Sequence, residues 1–573
     1  LLPSGSAAAH VRVPAGDLSK KVASPVYEDE SVRTDIRRAI TVLTSGGALE
    51  NVLFRDRIRT ATLEFYRQCG YRDAWKGLRE VQDADLGALQ DKIRTVLHEH
   101  GLRDVQSLGF NPEIRLPDGC VVSREDLCIT LSLVDAGVRV RFGFRSPPHI
   151  WQHYPVADEA LDHWFDKAVA GLFTLRHDRK SFFEGIAPQN AVYRSLVASY
   201  RDQIQGLEKA RELNFKPVAL PQGASSVKVG DVFPDAARLA SLLASEGAHL
   251  RDSAGSESAE DRENRFTAEL SAALKEFQRA NLLNADGVLG SQSLAALNVG
   301  PEDKIKRLVI NIQRARQLPD DLGERFVVAN IPSAEVEAYD HGRLQEKMRI
   351  VFGQSVEGMR TPIFHDVMRY VVFRPYWRVP PGIVVEEIAP ETAEDPMSFY
   401  RKGYEIVENY GDTSVLDPTW ENLAAAVEGQ LRIRQKPGSG NALGLVKFLF
   451  PNPHSVYMHD TPQKHLFARD RRDFSHGCIR LQHPEKMARY VLGSQGWDED
   501  RIRSAMEAEE RRSISIEQPI KVYIVYFTVW PDALENGRVL WKPDIYGRDE
   551  AAWLKIRQAD GAAVDLNVGQ RPR

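Results

Sequence analysis

Apolar positions recur at helical spacing through the first part of the chain. Ile36, Ile40 and Leu43 fall at i, i+4 and i+7, and Leu161, Trp164, Ala168 and Leu172 repeat the stripe, which predicts a helical scaffold over residues 31–220. Pro147-Pro148 interrupts it, and Pro188 opens a further helix carrying Tyr193 and Leu196 on one face. The aromatics of this region (Phe65, Tyr66, Tyr71, Trp75, Trp151 and Trp164) suit interhelix packing better than a ligand platform. Residues 1–30 mix Ala, Ser, Gly and Pro without an apolar period and read as a flexible tail.

A stretch with Pro217, Pro221 and Gly223 reads as a linker. Residues 226–299 then form a compact helical unit, with Leu239, Leu242 and Leu243 on one helix and Leu270, Leu274 and Phe277 on another. An acidic insert at 252–263 separates the two, and Asp286-Gly287-Val288-Leu289-Gly290 turns the chain toward Leu294 and Leu297. Residues 300–324 hold a connecting helix with Leu308, Ile312 and Ala315 in one stripe. After Glu324 the period shortens to that of strands, at 326–331, 336–339, 348–352, 367–373, 446–450, 456–459 and 520–530, which predicts a β-rich domain over 325–530. The strand pattern stops within 386–440, an insert with Tyr400, Tyr404, Tyr410 and Trp420 that reads as a cap over the sheet. Residues 531–573 remain as a C-terminal extension. The expected fold class is multidomain α+β.

Composition narrows the function. The 573 residues carry 75 Lys and Arg against 80 Asp and Glu, a formal charge of −5, which argues against nucleic acid as a partner held by bulk charge. No apolar run reaches the roughly 18 residues of a membrane-spanning helix. The four cysteines (Cys69, Cys120, Cys128 and Cys478) are too few for a disulfide-built scaffold, and a Cys120–Cys128 pair is left open. The sequence opens at Leu1 rather than Met, which a cleaved signal peptide and an arbitrary boundary of the chain would produce alike.

The candidate chemistry lies in Phe474-Ser475-His476-Gly477-Cys478-Ile479-Arg480-Leu481. His-Gly-Cys is expected by chance roughly 0.007 times in a chain of this composition. Upstream, Tyr457 and His459 share one face of a strand. A thiol is only slightly ionised at neutral pH, so an imidazole within reach is needed to activate it; Cys478 is the candidate nucleophile and His459 the base. The Gly477 and Cys478 amides are candidates to meet a developing oxyanion. Two rival readings stay open: a buried structural cysteine, and a zinc site built from His459, His476 and Cys478.

His459, fifteen intervening residues, Ser475-His476-Gly477-Cys478 and Arg480 together resemble the signature of the L,D-transpeptidase family. Arg360-Thr361-Pro362, Tyr376-Trp377-Arg378-Val379-Pro380 and Asn441-Ala442-Leu443-Gly444 extend the likeness over about 200 residues. Ala273 through Asn298 resembles the three-helix peptidoglycan-binding module, and the whole order resembles the large Gram-negative periplasmic members. The resemblance implies the family's β-rich fold and an exported, periplasmic enzyme that needs no cofactor or metal. It implies that Cys478 forms a thioester with a tetrapeptide stem and that an acceptor diaminopimelate resolves it into a 3→3 cross-link. His476 and Gly477 would shape the catalytic loop, while Arg480, Arg378, Ser475 and Tyr457 would meet substrate. Implied partners are peptidoglycan stem peptides, covalent β-lactam inhibitors (carbapenems above all) and cell-wall synthesis proteins. Water or a protein lysine as acceptor, and a noncatalytic wall-binding scaffold, remain as alternatives.

Overall fold

The computed structural model describes residues 30–45, 55–69, 72–75, 86–102, 122–143, 158–175, 179–212, 217–245, 264–281, 283–469, 471–533 and 537–559. The expected tail (to residue 29), the insert at 252–263, Cys120, Tyr71, Trp151 and Pro147-Pro148 lie outside them.

Two compact units divide the chain. The first, drawn from residues 1–97, 105–140 and 157–187, contains the helices Glu30–Ser45, Arg55–Gln68, Asp158–Leu175 and Arg179–Ile186. Ile36, Ile40, Phe65, Tyr66, Trp75 and Leu172 are buried in it. Phe65 stacks on Trp75 at 5.6 Å. Tyr66 donates to Asp126 at 2.6 Å and Trp75 Nε1 to Thr130 at 2.8 Å, so each buried polar tip finds a partner.

The second unit takes in everything from Pro188 onward. The scaffold expected over 31–220 is therefore split near Pro188. The physical reason is the helix Ala191–Glu212, which is tied to the helix Pro301–Ala315: Asn190 donates to the Ala315 carbonyl at 3.1 Å, and Arg316, beneath Tyr193, donates to the His100 carbonyl at 2.6 Å.

Within this unit a small module builds its own core from Val218, Phe233, Leu239, Phe266, Leu274 and Leu289. Strands β1 (Ser226–Val227) and β2 (Leu289–Gly290) pair antiparallel beside the helices Ala236–Ser245, Ala268–Ala280 and Ser291–Leu297. Gly287 at φ +73° turns the chain where a side chain would strike Ser271 Oγ at 2.3 Å. Asn298 closes the module by bonding the Val218 N–H and carbonyl, at 2.9 and 2.8 Å.

The β-rich region contains β3 (Arg325–Asn330), β4 (Glu335–Asp340), β5 (Arg343–Gly353), β6 (Phe364–Phe373), β7 (Trp377–Arg378), β8 (Tyr404–Val407), β9 (Arg432–Gln435), β10 (Val446–Leu449), β11 (Met458–His459), β12 (Asp473–Ser475), β13 (Ile479–Leu481), β14 (Arg512–Val525), β15 (Val529–Pro531) and β16 (Val539–Trp541). Nine of them form one sheet in the order β12-β5-β13-β11-β10-β6-β14-β3-β4, and β4 also pairs with β5, closing the sheet into a ring. Alternate residues point inward: Val327, Ala329, Ile350, Phe352, Val371, Phe373, Val446, Phe448, Met458, Ile479 and Leu481 form one core. The helices Pro484–Leu492 and Glu499–Glu507 add Met487, Val491 and Ile502 to it. The register of β14 against β6 shifts between Ser515 and Ile520, where Pro519 supplies no N–H.

Three expectations are revised. The insert is not strand-free, because β7, β9 and β8 form a three-stranded sheet over a separate core of Val379, Val384, Phe399, Ile406 and Ile433. That core starts before residue 386. The C-terminal residues through 559 are no loose appendage: β16 pairs with β15, and Tyr546 is buried in the main core.

Candidate active site

Three adjacent strands present one polar face. Met458 is the parallel register partner of Ile479 and His459 that of Arg480; Lys447 faces His459 across the antiparallel β10–β11 pair. Because Phe448, Met458, Ile479 and Leu481 fill the core, alternation turns Lys447, Tyr457, His459, Cys478 and Arg480 to the opposite face. The run around Cys478, expected as a loop, thus passes directly into β13. The Ile479 N–H donates to the Tyr457 carbonyl at 3.1 Å, which fixes the nucleophile strand beside the histidine strand.

His459 is buried, and its Nδ1 lies 2.5 Å from the Asp460 carbonyl. A carbonyl only accepts, so Nδ1 carries the proton and Nε2 is left with its lone pair. Desolvation, aided by the Arg480 and Lys447 charges, pushes the imidazole down to about 3, so it is neutral at physiological pH. The Asp460 carboxylate does other work: it accepts from the Leu445 N–H at 2.9 Å and from Lys464 Nζ at 2.6 Å. Gly444, at φ +60°, leaves it room, since a Cβ there would meet Asp460 Oδ2 at 2.3 Å.

Cys478 is half-buried, and burial pushes its thiol up, against opposing influences from Tyr457, Arg480 and Lys447. Its Sγ lies 3.9 Å from the Ser455 carbonyl. The loop before it is tightly braced. Gly477 sits at φ +113°, a region other residues rarely enter. Ser475 Oγ donates to the Cys478 carbonyl at 2.6 Å and accepts from the Gly477 N–H at 3.2 Å. Thr361 Oγ1 donates to the Gly477 carbonyl at 2.9 Å, while Tyr546 accepts from the Thr361 N–H at 3.1 Å and donates to the Gly353 carbonyl at 2.6 Å.

These contacts correct two expectations. Ser475 is only 2% exposed and braces the loop from within, so it does not face substrate. The Gly477 N–H is spent on Ser475, which leaves the Cys478 amide as the remaining candidate of the pair. His476 turns outward instead, with Nε2 2.9 Å from Glu387 Oε1. Among the described residues, no group of three or more His, Cys, Asp and Glu is placed to hold a metal ion.

Arg480 donates to Gln463 Oε1 at 2.6 Å, and its Nε is buried without a hydrogen-bond partner. Arg378 is exposed on the insert's own sheet, 5.3 Å from the Tyr410 ring, and its charge still reaches Lys447. Glu387, also from the insert, acts on Arg480. The insert therefore borders the polar face. Asn441 ties its neck by donating to the Pro375, Gln435 and Lys436 carbonyls at 3.2, 3.3 and 2.8 Å. Lys447, Tyr546 and Glu387 escaped the sequence reading, and Thr361 entered it only within Arg360-Thr361-Pro362, with no role. Only Lys447 carried a usable signal there, a lone cation alternating with Val446 and Phe448.

Residues 324–514 match the family described as "L,D-transpeptidase catalytic domain", and residues 249–297 match "Putative peptidoglycan binding domain". A protein of Haemophilus influenzae described as "Putative L,D-transpeptidase" is 28% identical over 376 residues, covering 63% of this chain and 74% of the relative. A solved L,D-transpeptidase structure from Xylanimonas cellulosilytica matches at 14% identity with a TM-score of 0.17, over 53% of this chain and all of the other.

Proposed function

Residues 324–514 being an L,D-transpeptidase catalytic domain accompanied by a peptidoglycan-binding domain, we propose that this protein forms 3→3 cross-links in peptidoglycan through a thioester on Cys478. The observation that carries the reading is the 2.5 Å contact of His459 Nδ1 with the Asp460 carbonyl, on a strand paired with the one that follows Cys478. A carbonyl only accepts, so the contact supports a proton on Nδ1 and a lone pair on Nε2, as a base for the thiol requires.

In the first half-reaction His459 takes the Cys478 proton as sulfur attacks the carbonyl of the third stem residue, a diaminopimelate. The Cys478 amide stabilises the tetrahedral oxyanion. Collapse breaks the amide bond, and the imidazolium returns its proton to the departing amine of D-Ala. In the second half, the side-chain amine of an acceptor diaminopimelate attacks the thioester and gives its proton to His459. The carbon–sulfur bond breaks, the thiol is regenerated and the new amide is the cross-link. Arg480, Arg378 and Tyr457 line the approach. A β-lactam carbonyl at the same position would acylate Cys478, with carbapenems as the expected class. Work on peptidoglycan places the enzyme at the cell wall or periplasm; among the described residues no helix is long and apolar enough to cross a membrane.

Incubation with purified disaccharide-tetrapeptide, followed by mass spectrometry, tests the proposal. A cross-linked dimer with loss of D-Ala supports it. Tripeptide alone would make the enzyme a carboxypeptidase, attachment to a protein lysine would change the acceptor, and no product would overturn catalysis.

A further inference from the structure

One cation on the polar face has no part in the chemistry above. Lys447 lies on β10 between the core residues Val446 and Phe448, and strand alternation turns it toward the face that carries His459 and Cys478. Its Nζ stands 5.4 Å from the centre of the Tyr457 ring. No carboxylate among the described residues pairs with it. Desolvation, together with the like charges of Arg378 and Arg511, pushes its ammonium down to about 8, opposed by Cys478.

Arg480 is in a similar position on the other side of the histidine strand. Its one side-chain hydrogen bond goes to the uncharged Gln463, and its Nε is buried without a partner. In the order β13-β11-β10, these two cations flank β11 and its base. Partly burying like charges together is unfavourable unless an anion completes the set. Glu387 reaches Arg480 but contacts His476 and does not pair with Lys447, and burial holds the nearby Cys478 thiol toward its neutral form, so the set at rest lacks an anion that both cations share, and a substrate can supply it.

We propose that Lys447 is a specificity-determining residue which, with Arg480, binds the free carboxylate of the donor residue that leaves when Cys478 attacks. The inference rests on the transpeptidase reading and deepens it by assigning the residues that recognise the terminal acid of the tetrapeptide donor. A carboxylate matches the bidentate fork of Arg480 and the point charge of Lys447 together.

The test compares two donors on the full chain, a disaccharide-tetrapeptide with a free terminal carboxylate and the same compound as its terminal amide. The wild type should prefer the acid by about 10- to 100-fold in kcat/KM, a preference that can be read without any variant. Lys447→Gln should lose at least tenfold of it, mainly through KM, while Lys447→Arg keeps most of it. The pH profile of Cys478 alkylation should move to higher pH in Lys447→Gln, because that cation favours the thiolate, and should stay in place in Lys447→Arg. Equal use of acid and amide by the wild type would overturn the carboxylate site yet leave the transpeptidase intact. A loss in Lys447→Gln that is confined to kcat and falls equally on acid and amide donors would overturn it too and make Lys447 a partner of the thiolate alone. Failure of the wild type to form an acyl-enzyme with either donor would instead remove the reading on which the proposal stands.

Discussion

His476 and Glu387 meet at 2.9 Å, and that one contact joins the loop carrying Cys478 to the insert beside it. Glu387 is exposed on the helical turn Val384–Ile388, whose Val384 and Ile388 belong to the insert's own core, so moving the insert away must break this pair or drag the loop with it. The contact gives a physical basis for treating the insert as a gate over the thiol.

Replacing residues 377–436 with a short linker should reduce cross-linking at least tenfold and leave Cys478 accessible to iodoacetamide. The cut starts at Trp377 because Val379 belongs to the insert's core. Glu387→Gln is the gentler version. It should speed alkylation by a bulky maleimide several-fold and leave iodoacetamide almost unaffected. Unchanged cross-linking by a folded deletion variant would show that the insert is no gate.

Cys478→Ala should abolish turnover and the covalent adduct with a carbapenem, seen by intact-protein mass spectrometry, while circular dichroism stays unchanged. Cys69, Cys120 and Cys128 should each be replaceable without loss of chemistry. A loss of activity in any folded variant of those three would mean that the wrong cysteine has been assigned.

The pH behaviour of the thiol separates two forms of the nucleophile. His459 is held down to about 3 and the Cys478 thiol is pushed up, so the resting pair is neutral at pH 7. Alkylation of Cys478 should rise steadily with pH into the alkaline range, with no plateau between pH 6 and 8. A plateau there would reveal a preformed thiolate–imidazolium pair. His459→Ala should lower turnover by about 10²–10⁴-fold, the usual span for a lost general base.

Tyr546→Phe removes the hydroxyl that bonds both Gly353 and Thr361. Leaving those buried groups unmatched should cost about 1–3 kcal/mol. The expected result is a lower melting temperature together with reduced kcat, because Thr361 in turn holds the Gly477 carbonyl. Thr361→Val should do the same, and unaltered kcat in both would show that the loop needs no such brace.

His100 and His459 are both buried and both held down to about 3. Below the ordinary value of 6.5 the unfolded chain binds their protons and the folded one does not. Their contribution to stability is therefore complete above pH 6.5 and is lost as pH falls toward 3. The urea midpoint should drop between pH 7 and pH 4.5, and His100→Gln should make that drop smaller. An identical drop in the variant would count against His100 as a contributor.

Much of this arrangement could be read from the chain. Strands such as Val367–Phe373 and Val446–Phe450 announced themselves by apolar alternation, and His459 and Cys478 by residue type and spacing. What stayed hidden was set by distant contacts. β13 has three residues directly behind a Gly-containing loop, too few for a period, and exists because β5 and β11 pair with it on either side. β8 and β9 are four residues each and hold one another. Ser475 looked like a surface hydroxyl because nothing local reveals that its partners are the loop's own backbone groups. The pairing of Glu387 with His476, nearly ninety residues apart, has no local trace at all.

The brace from Tyr546 carries a consequence for the order of assembly. Gly353, Thr361 and Gly477 are all translated before Tyr546, yet their hydrogen bonds run through it or through the threonine it holds. A ribosome must pass the nucleophile, the base and most of the barrel before that hydroxyl exists. A chain that stops short of Tyr546 keeps the Ser475 and Thr361 bonds to the loop behind Cys478 but lacks the hydroxyl that ties Thr361 to Gly353, so the outer layer of the brace belongs only to a domain whose C-terminal residues are in place.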